Sequence, residues 1–287
     1  MSPGFSSVCV IGVGIIGGSM ARALREKGIV EEIVGVGRGR ENLEDAMRLG
    51  IIDRFTHDPC EACRGADLVI LATPVSAIPS IVSKIKDMLS PGALLTDVAS
   101  TKAKLIRELD PLIPESVDFV PGHPIAGKEK SGCRFSQANL FENRWTILTP
   151  NQRTRTHALE RVKSMWTEIG ARVEIMDPIQ HDRVLAAVSH LPHLVAYALV
   201  DTLAGIDQKD PVLRFSAGGF QDFIRIAGSS PEVWRDIFLE NQGPIREMIE
   251  LYINRLNGLD TLIENGDDEG LLRLFAKARE IKEAIEE

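Results

Sequence analysis

Apolar residues follow two rhythms along this chain. In the first 176 residues, short runs rich in valine, isoleucine and leucine alternate with segments whose apolar residues recur every three or four positions. The runs predict strands over Ser7–Gly12, Glu32–Val36, Ala66–Ala72, Ala93–Val98, Phe119–Gly122, Trp145–Leu148 and Arg172–Ile175. The segments between them predict helices over Gly17–Lys27, Asn42–Leu49, Ala77–Met88, Lys102 to about Leu109, and Arg155–Ile169. Strands and helices that alternate in this way build a parallel sheet covered by helices. After Asp177-Pro178 the strand rhythm stops, and helix signals run to Glu287. Ser230-Pro231 pairs a capping hydroxyl with a proline at the first helical position, and Asp267-Asp268 opens another helix. The expectation is an α/β chain with a parallel-sheet domain over 1–176 and an all-α domain over 177–287.

Composition narrows the range of partners. A chain of 287 residues suits two domains, and 44% hydrophobic with 26% charged residues is ordinary for a folded protein. A net charge of −8 provides no bulk attraction for nucleic acid or an anionic membrane. An anionic small molecule would need a local cluster of cations. Met1–Val10 has no basic stretch leading into an apolar run, and no uninterrupted apolar stretch approaches the ~18–20 residues of a membrane helix, so a cytoplasmic address is expected. Cys60 and Cys63 have the spacing of a metal or dithiol unit. No second pair completes a ligand set, so two thiols in a surface segment, and no metal, are expected.

Val8–Ile11 runs into Gly12-Val13-Gly14-Ile15-Ile16-Gly17 and then a helix. In such a turn Gly12 permits the sharp bend, Gly14 lets backbone approach a pyrophosphate, and Gly17 allows close packing of helix on strand. The N–H groups of the helix start, at Ile15 and Ile16, attract anions. This is a Rossmann-like dinucleotide turn in the right context, and Thr73-Pro74 closes a neighbouring strand beside it. The carboxylate that normally meets the adenosine ribose is missing: the second strand runs on into Gly37-Arg38-Gly39-Arg40. A guanidinium at Arg38 suits a 2′-phosphate, so the cofactor expected is NAD or NADP, with NADP used at least as well.

The segment Gly122-His123-Pro124-Ile125-Ala126-Gly127-Lys128-Glu129 holds a histidine between a strand end and a glycine turn, at the sheet edge where ligands bind. Imidazole titrates near neutrality, so His123 can take the proton of a substrate hydroxyl while hydride leaves the same carbon. At these residues the chain resembles the prephenate and arogenate dehydrogenases of tyrosine biosynthesis. The likeness continues through Asp97-Val98-Ala99-Ser100-Thr101-Lys102, Ser189-His190-Leu191-Pro192-His193, Phe220–Ala227 and Pro231–Ile237. It implies catalysis by His123 with Ser100 orienting it. It also implies substrate binding by His193, Ser189 and Arg225, with Glu129 at a gate facing Arg225. Prephenate is a dianion, which a guanidinium fork at Arg225 suits.

Asp182, Ser189, His193 and Tyr197 are spaced to share one helix face, which Pro192 should bend, and His190 reads as a packed or capping residue. Lys128 and Gln221 depart from the family's usual residues near the substrate entrance. The long helix carrying Leu251, Ile253, Leu256, Leu259, Leu262 and Ile263 has more apolar surface than one flank can cover, and with the resemblance it implies a homodimer. Two other readings are weighed. A β-hydroxyacid-type dehydrogenase would need a catalytic lysine isolated among apolar residues of the second half, where none is found. A non-catalytic NADP-binding sensor would have no use for His123, Ser100 and Arg225 together.

Overall fold

The computed structural model describes residues 4–127, 130–206 and 214–286. Six strands, β1 (Phe5–Ile11), β2 (Val30–Val36), β3 (Arg54–Thr56), β4 (Leu68–Leu71), β5 (Leu94–Asp97) and β6 (Asp118–Val120), form a parallel sheet in the order β3-β2-β1-β4-β5-β6. Five helices connect them: α1 (Ile15–Glu26), α2 (Arg40–Arg48), α3 (Pro59–Cys63), α4 (Ile78–Ile85) and α5 (Ala103–Leu109). Helices on both faces explain the almost unbroken apolar strands. Val8 and Val10 of β1 join one buried cluster with Met20, Leu24 and Ile33, while Cys9 and Ile11 join another with Val69, Leu71 and Ile78. The strand order reverses between β1 and β4, which opens a crevice at their C-terminal ends, where the glycine turn lies.

The single strand expected over Phe119–Gly122 is two strands. The chain leaves the parallel sheet after Val120 and begins a second sheet at β7 (Gly122–Pro124), with Pro121, which has no N–H for a ladder, at the crossing. β7 pairs antiparallel with β8 (Trp145–Leu148), which pairs in parallel with β9 (Arg172–Ile175). His123 is the middle residue of β7, opposite Ile147. Between β8 and β9, α6 (Thr156–Glu168) buries Val162, Met165 and Trp166.

Two elements depart from the sequence expectation. β3 is only three residues of polar character, too short to register as a run. The Cys60–Cys63 segment is α3, capped by Asp58, and it is not a surface segment: Cys63 is fully buried, with its Sγ 3.8 Å from that of Cys9. The contact with Cys63 and burial push the Cys9 thiol well above its usual range.

From Pro178 the described residues are helical. The Asp177 carboxylate accepts hydrogen bonds from the N–H groups of Ile179 and Gln180 and so caps α7 (Pro178–Leu185). A π-helical turn, Ala186–His190, joins α7 to α8 (Leu191–Ala204). The whole stretch is long and apolar enough to cross a membrane by length and composition, although Ser189, His190, Pro192 and His193 interrupt its apolar residues. Helices Gly218–Ile224 and Pro231–Glu240 follow. By packing, the chain divides into two units, 1–241 and 242–287, a different division from the change of rhythm at residue 177. The second unit is the helix pair Gln242–Glu264 and Asp268–Glu286, which exposes Leu251, Ile253, Leu256 and Ile263.

Candidate active site

The protein's own packing requires two of the three motif glycines, and the third faces open space. Gly12 has φ +103°, and a Cβ on it would lie 2.3 Å from the Ala72 carbonyl oxygen; one on Gly17 would lie 2.2 Å from the Gly12 carbonyl oxygen. A Cβ on Gly14 would meet nothing within 4 Å. Gly14 is also the N-cap of α1 and has no side-chain cap, so the N–H groups that begin at Ile15 and Ile16 are left for another acceptor. The Thr73 hydroxyl beyond β4 is buried without a hydrogen-bond partner among the described residues, and Pro74 follows it in an extended conformation. An open cradle, an uncapped helix start and an unpaired buried hydroxyl fit a dinucleotide. Past β2, Arg40 pairs with Glu44 at 2.7 Å, while Arg38 is exposed and forms no ion pair among the described residues.

His123 is buried, and its Nδ1 lies 2.9 Å from Nε2 of His181 in α7. Nδ1 of His181 lies 2.8 Å from Oδ1 of Asp182. The Asp182 carboxylate also accepts from the N–H of Lys102 at Oδ1 and of Ala103 at Oδ2, both at 2.8 Å, capping α5 from another helix. A carboxylate only accepts, so His181 Nδ1 must donate to it, which leaves His181 Nε2 to accept from His123 Nδ1. The file therefore places the lone pair of His123 on Nε2. Burial holds the His123 imidazole well below its ordinary value, and electrostatic interaction with His181, Lys102 and His190 acts in the same direction. The arrangement is a neutral imidazole, fixed in one tautomer, able to accept a proton at Nε2.

Among the described residues the Ser100 hydroxyl makes no hydrogen bond to His123; the ring is oriented from its other side by His181. His181 itself gave no periodic or motif signal beyond standing next to Asp182. Asp97 and Lys102, quoted for their segment only, form a wholly buried ion pair at the base of this file.

The expected common face of Asp182, Ser189, His193 and Tyr197 is broken by the π turn, which inserts an extra residue per turn just before Pro192 removes an N–H. Asp182 turns to α5, whereas Nδ1 of His193 pairs with the Ser189 carbonyl at 2.9 Å and the Tyr197 hydroxyl donates to the Ser229 carbonyl. The His193 ring stacks on Trp234, a residue whose role the sequence did not reveal, with centroids 3.6 Å apart and planes at 21°. Burial lowers the pKa of His193, and the charge of exposed Arg225 adds to the effect, which puts these two groups within electrostatic reach of each other. His190 is buried, as a packed residue should be: its Nδ1 accepts from the Asn241 amide at 3.0 Å, and burial pushes its pKa down to about 4. Glu129 and Lys128 lie outside the described residues. No group of three or more His, Cys, Asp or Glu side chains among the described residues is arranged to hold a metal ion.

A neutral imidazole able to accept a proton, in the same fold as a turn shaped for a pyrophosphate, is the equipment that a dehydrogenase acting on an alcohol needs. Comparison with known proteins narrows the class. Residues 20–175 match the family described as prephenate dehydrogenase, nucleotide-binding domain, and residues 177–277 match prephenate dehydrogenase, dimerization domain. The chain belongs to the prephenate dehydrogenase family. It is 36% identical over 281 residues to the prephenate dehydrogenase of Bacillus subtilis, covering 97% of this chain and 76% of that one. It is 35% identical to the cyclohexadienyl dehydrogenase of Zymomonas mobilis, over 98% of this chain and 96% of that one. The structure resembles prephenate dehydrogenase from Aquifex aeolicus in complex with hydroxyphenyl propionate and NAD+, with a TM-score of 0.92, 40% identity and 98% of each chain covered. Synechocystis arogenate dehydrogenase follows at TM-score 0.82 and 30% identity, covering 96% of this chain and 99% of that one.

Proposed function

We propose that this protein oxidatively decarboxylates prephenate to 4-hydroxyphenylpyruvate, arogenate to tyrosine, or both, as a step of tyrosine biosynthesis. The observation that carries the reading is the file Asp182–His181–His123, which leaves Nε2 of His123 as the ring nitrogen able to accept a proton. His123 Nε2 takes the ring hydroxyl proton, and the resulting positive charge is shared down the file to the Asp182 carboxylate. When bound, a nicotinamide supplies the acceptor for the hydride that leaves the hydroxyl-bearing carbon. The ring carboxylate departs as CO2, its bonding electrons completing the aromatic ring. Arg225 and His193 hold the far carboxylate, Ser189 joins them in binding the substrate, Glu129 serves as a gate that pairs with Arg225, and Ser100 offers its hydroxyl beside His123 and the nicotinamide. Gly12, Gly14, Ile15, Ile16, Gly17, Thr73 and Pro74 would hold the dinucleotide.

NADP is used at least as well as NAD, because Arg38 forms no ion pair among the described residues and stands at the strand end where a 2′-phosphate is read. Residues 1–176 serve the nucleotide. Residues 177–287 serve the substrate and a homodimer, which the exposed apolar residues of the last two helices support. The working compartment is the cytoplasm. Reduction of NAD and NADP, followed by absorbance with prephenate and with arogenate, tests the reading; no reduction with either substrate overturns it.

A further inference from the structure

The reaction leaves one buried ion pair without a task. Lys102 and Asp97 are both wholly inaccessible to solvent. Taking two charges out of water is unfavourable, and well-packed apolar residues often serve stability as well. The place of this pair is specific. The Lys102 ammonium donates to Asp97, at the end of β5, and at 2.7 Å to the carbonyl of Gly122, the residue before His123. The backbone N–H of the same lysine donates at 2.8 Å to Asp182, the carboxylate at the far end of the imidazole file. One residue thus grips the strand that carries the first ring and the carboxylate that anchors the second.

We propose that Lys102, through its pair with Asp97, is the positioning residue of the His123 file and sets its electrostatics. This rests on His123 being the proton acceptor. The charged and titratable groups around the two imidazoles among the described residues are Lys102 and Asp97 from the β5–α5 segment, His181 and Asp182 from α7, and His190 from the π turn. Lys102 disfavours a second positive charge on His123, and Asp97 acts in the opposite sense on His181. The sign follows. Without the ammonium, protonation of His123 becomes easier and the acid limb of activity moves to higher pH. Without the Asp97 charge, the cation stands unopposed and the limb moves to lower pH.

The test compares Lys102→Met, Asp97→Asn and Lys102→Arg in the full-length enzyme. It reads kcat/KM against pH at saturating cofactor, and the His123 ring titration by NMR. Lys102→Met should raise the acid limb by about one pH unit, the shift typical of one nearby charge. Asp97→Asn should lower it, and Lys102→Arg should leave it in place while reducing kcat. The KM for the dinucleotide should stay constant in all three. Equal limbs in all variants, or shifts of the same sign in the first two, would overturn the proposal, as would failure of all three to fold. If Lys102→Met alone fails to fold, the downward shift in Asp97→Asn carries the test. The NMR titration does not depend on the substrate, so an inactive wild type would overturn the function proposed above while leaving this measurement readable.

Discussion

At the glycine turn the binding surface is backbone, whereas around His123 it is side chains gathered from distant positions. Gly12, Gly14 and Gly17 lie within one tight bend and the first turn of α1, and what they offer is the absence of Cβ atoms and an uncapped helix start. His123, His181, Asp182, Lys102 and Asp97 come from a short strand, one helix, the cap of another and a strand end, and they offer charge and hydrogen bonds in a dry interior. The first region offers dipoles that ionic state cannot change. The second works only in one protonation pattern, so its chemistry depends on its neighbours.

The two regions should separate under mutation. His123→Asn should lower kcat by at least ~10²-fold, the usual scale for a lost general base, while the dissociation constant for NAD measured by fluorescence stays unchanged. A parallel fall in NAD affinity would mean that the regions are one. Arg225→Ala should raise KM for the substrate by roughly 10–100-fold, as expected for a charge-assisted hydrogen bond, with kcat nearly constant. A collapse of kcat at steady KM would instead place Arg225 in the transition state. Arg38→Ala sharpens the nucleotide side alone: kcat/KM should fall roughly tenfold with NADP and stay level with NAD. Equal losses with both cofactors would remove Arg38 from phosphate recognition. Asp177→Ala removes no member of either region, only the side-chain cap of the helix that carries His181 and Asp182; it should cost about 1 kcal/mol of stability in denaturant titration, the worth of an N-cap, with kcat retained.

The same contrast explains what could be read from the sequence. Strands buried on both faces leave continuous apolar runs, so β1, β2, β4 and β5 were legible to within a few residues. The switch between sheets at Pro121 was not, because Phe119–Gly122 carries one apolar run across two ladders. Local motifs exposed the glycine turn and His123. His181 stayed hidden, since its meaning arises only when α7 packs against β7, and Trp234 stayed hidden for the same reason across the partner helix. The π turn at Ala186–His190 has no composition of its own, and it rotated residues that regular helical spacing had put on one face. Cys63 looked like a surface thiol because CxxC spacing says nothing about which side of a short helix is buried.

Asp182 also sets an order on the birth of the molecule. The six strands of the parallel sheet end at Val120, and His123 follows almost at once, but the carboxylate that caps α5 and closes the imidazole file arrives only with α7. While the chain is being synthesised from its N-terminus, the nucleotide fold precedes the completion of the base. Ring tautomer and helix cap both depend on one carboxylate reached through contacts of long sequence separation, the slow kind to form. A chain that stops before α7 lacks both the cap of α5 and the carboxylate that fixes the tautomer of the imidazole pair.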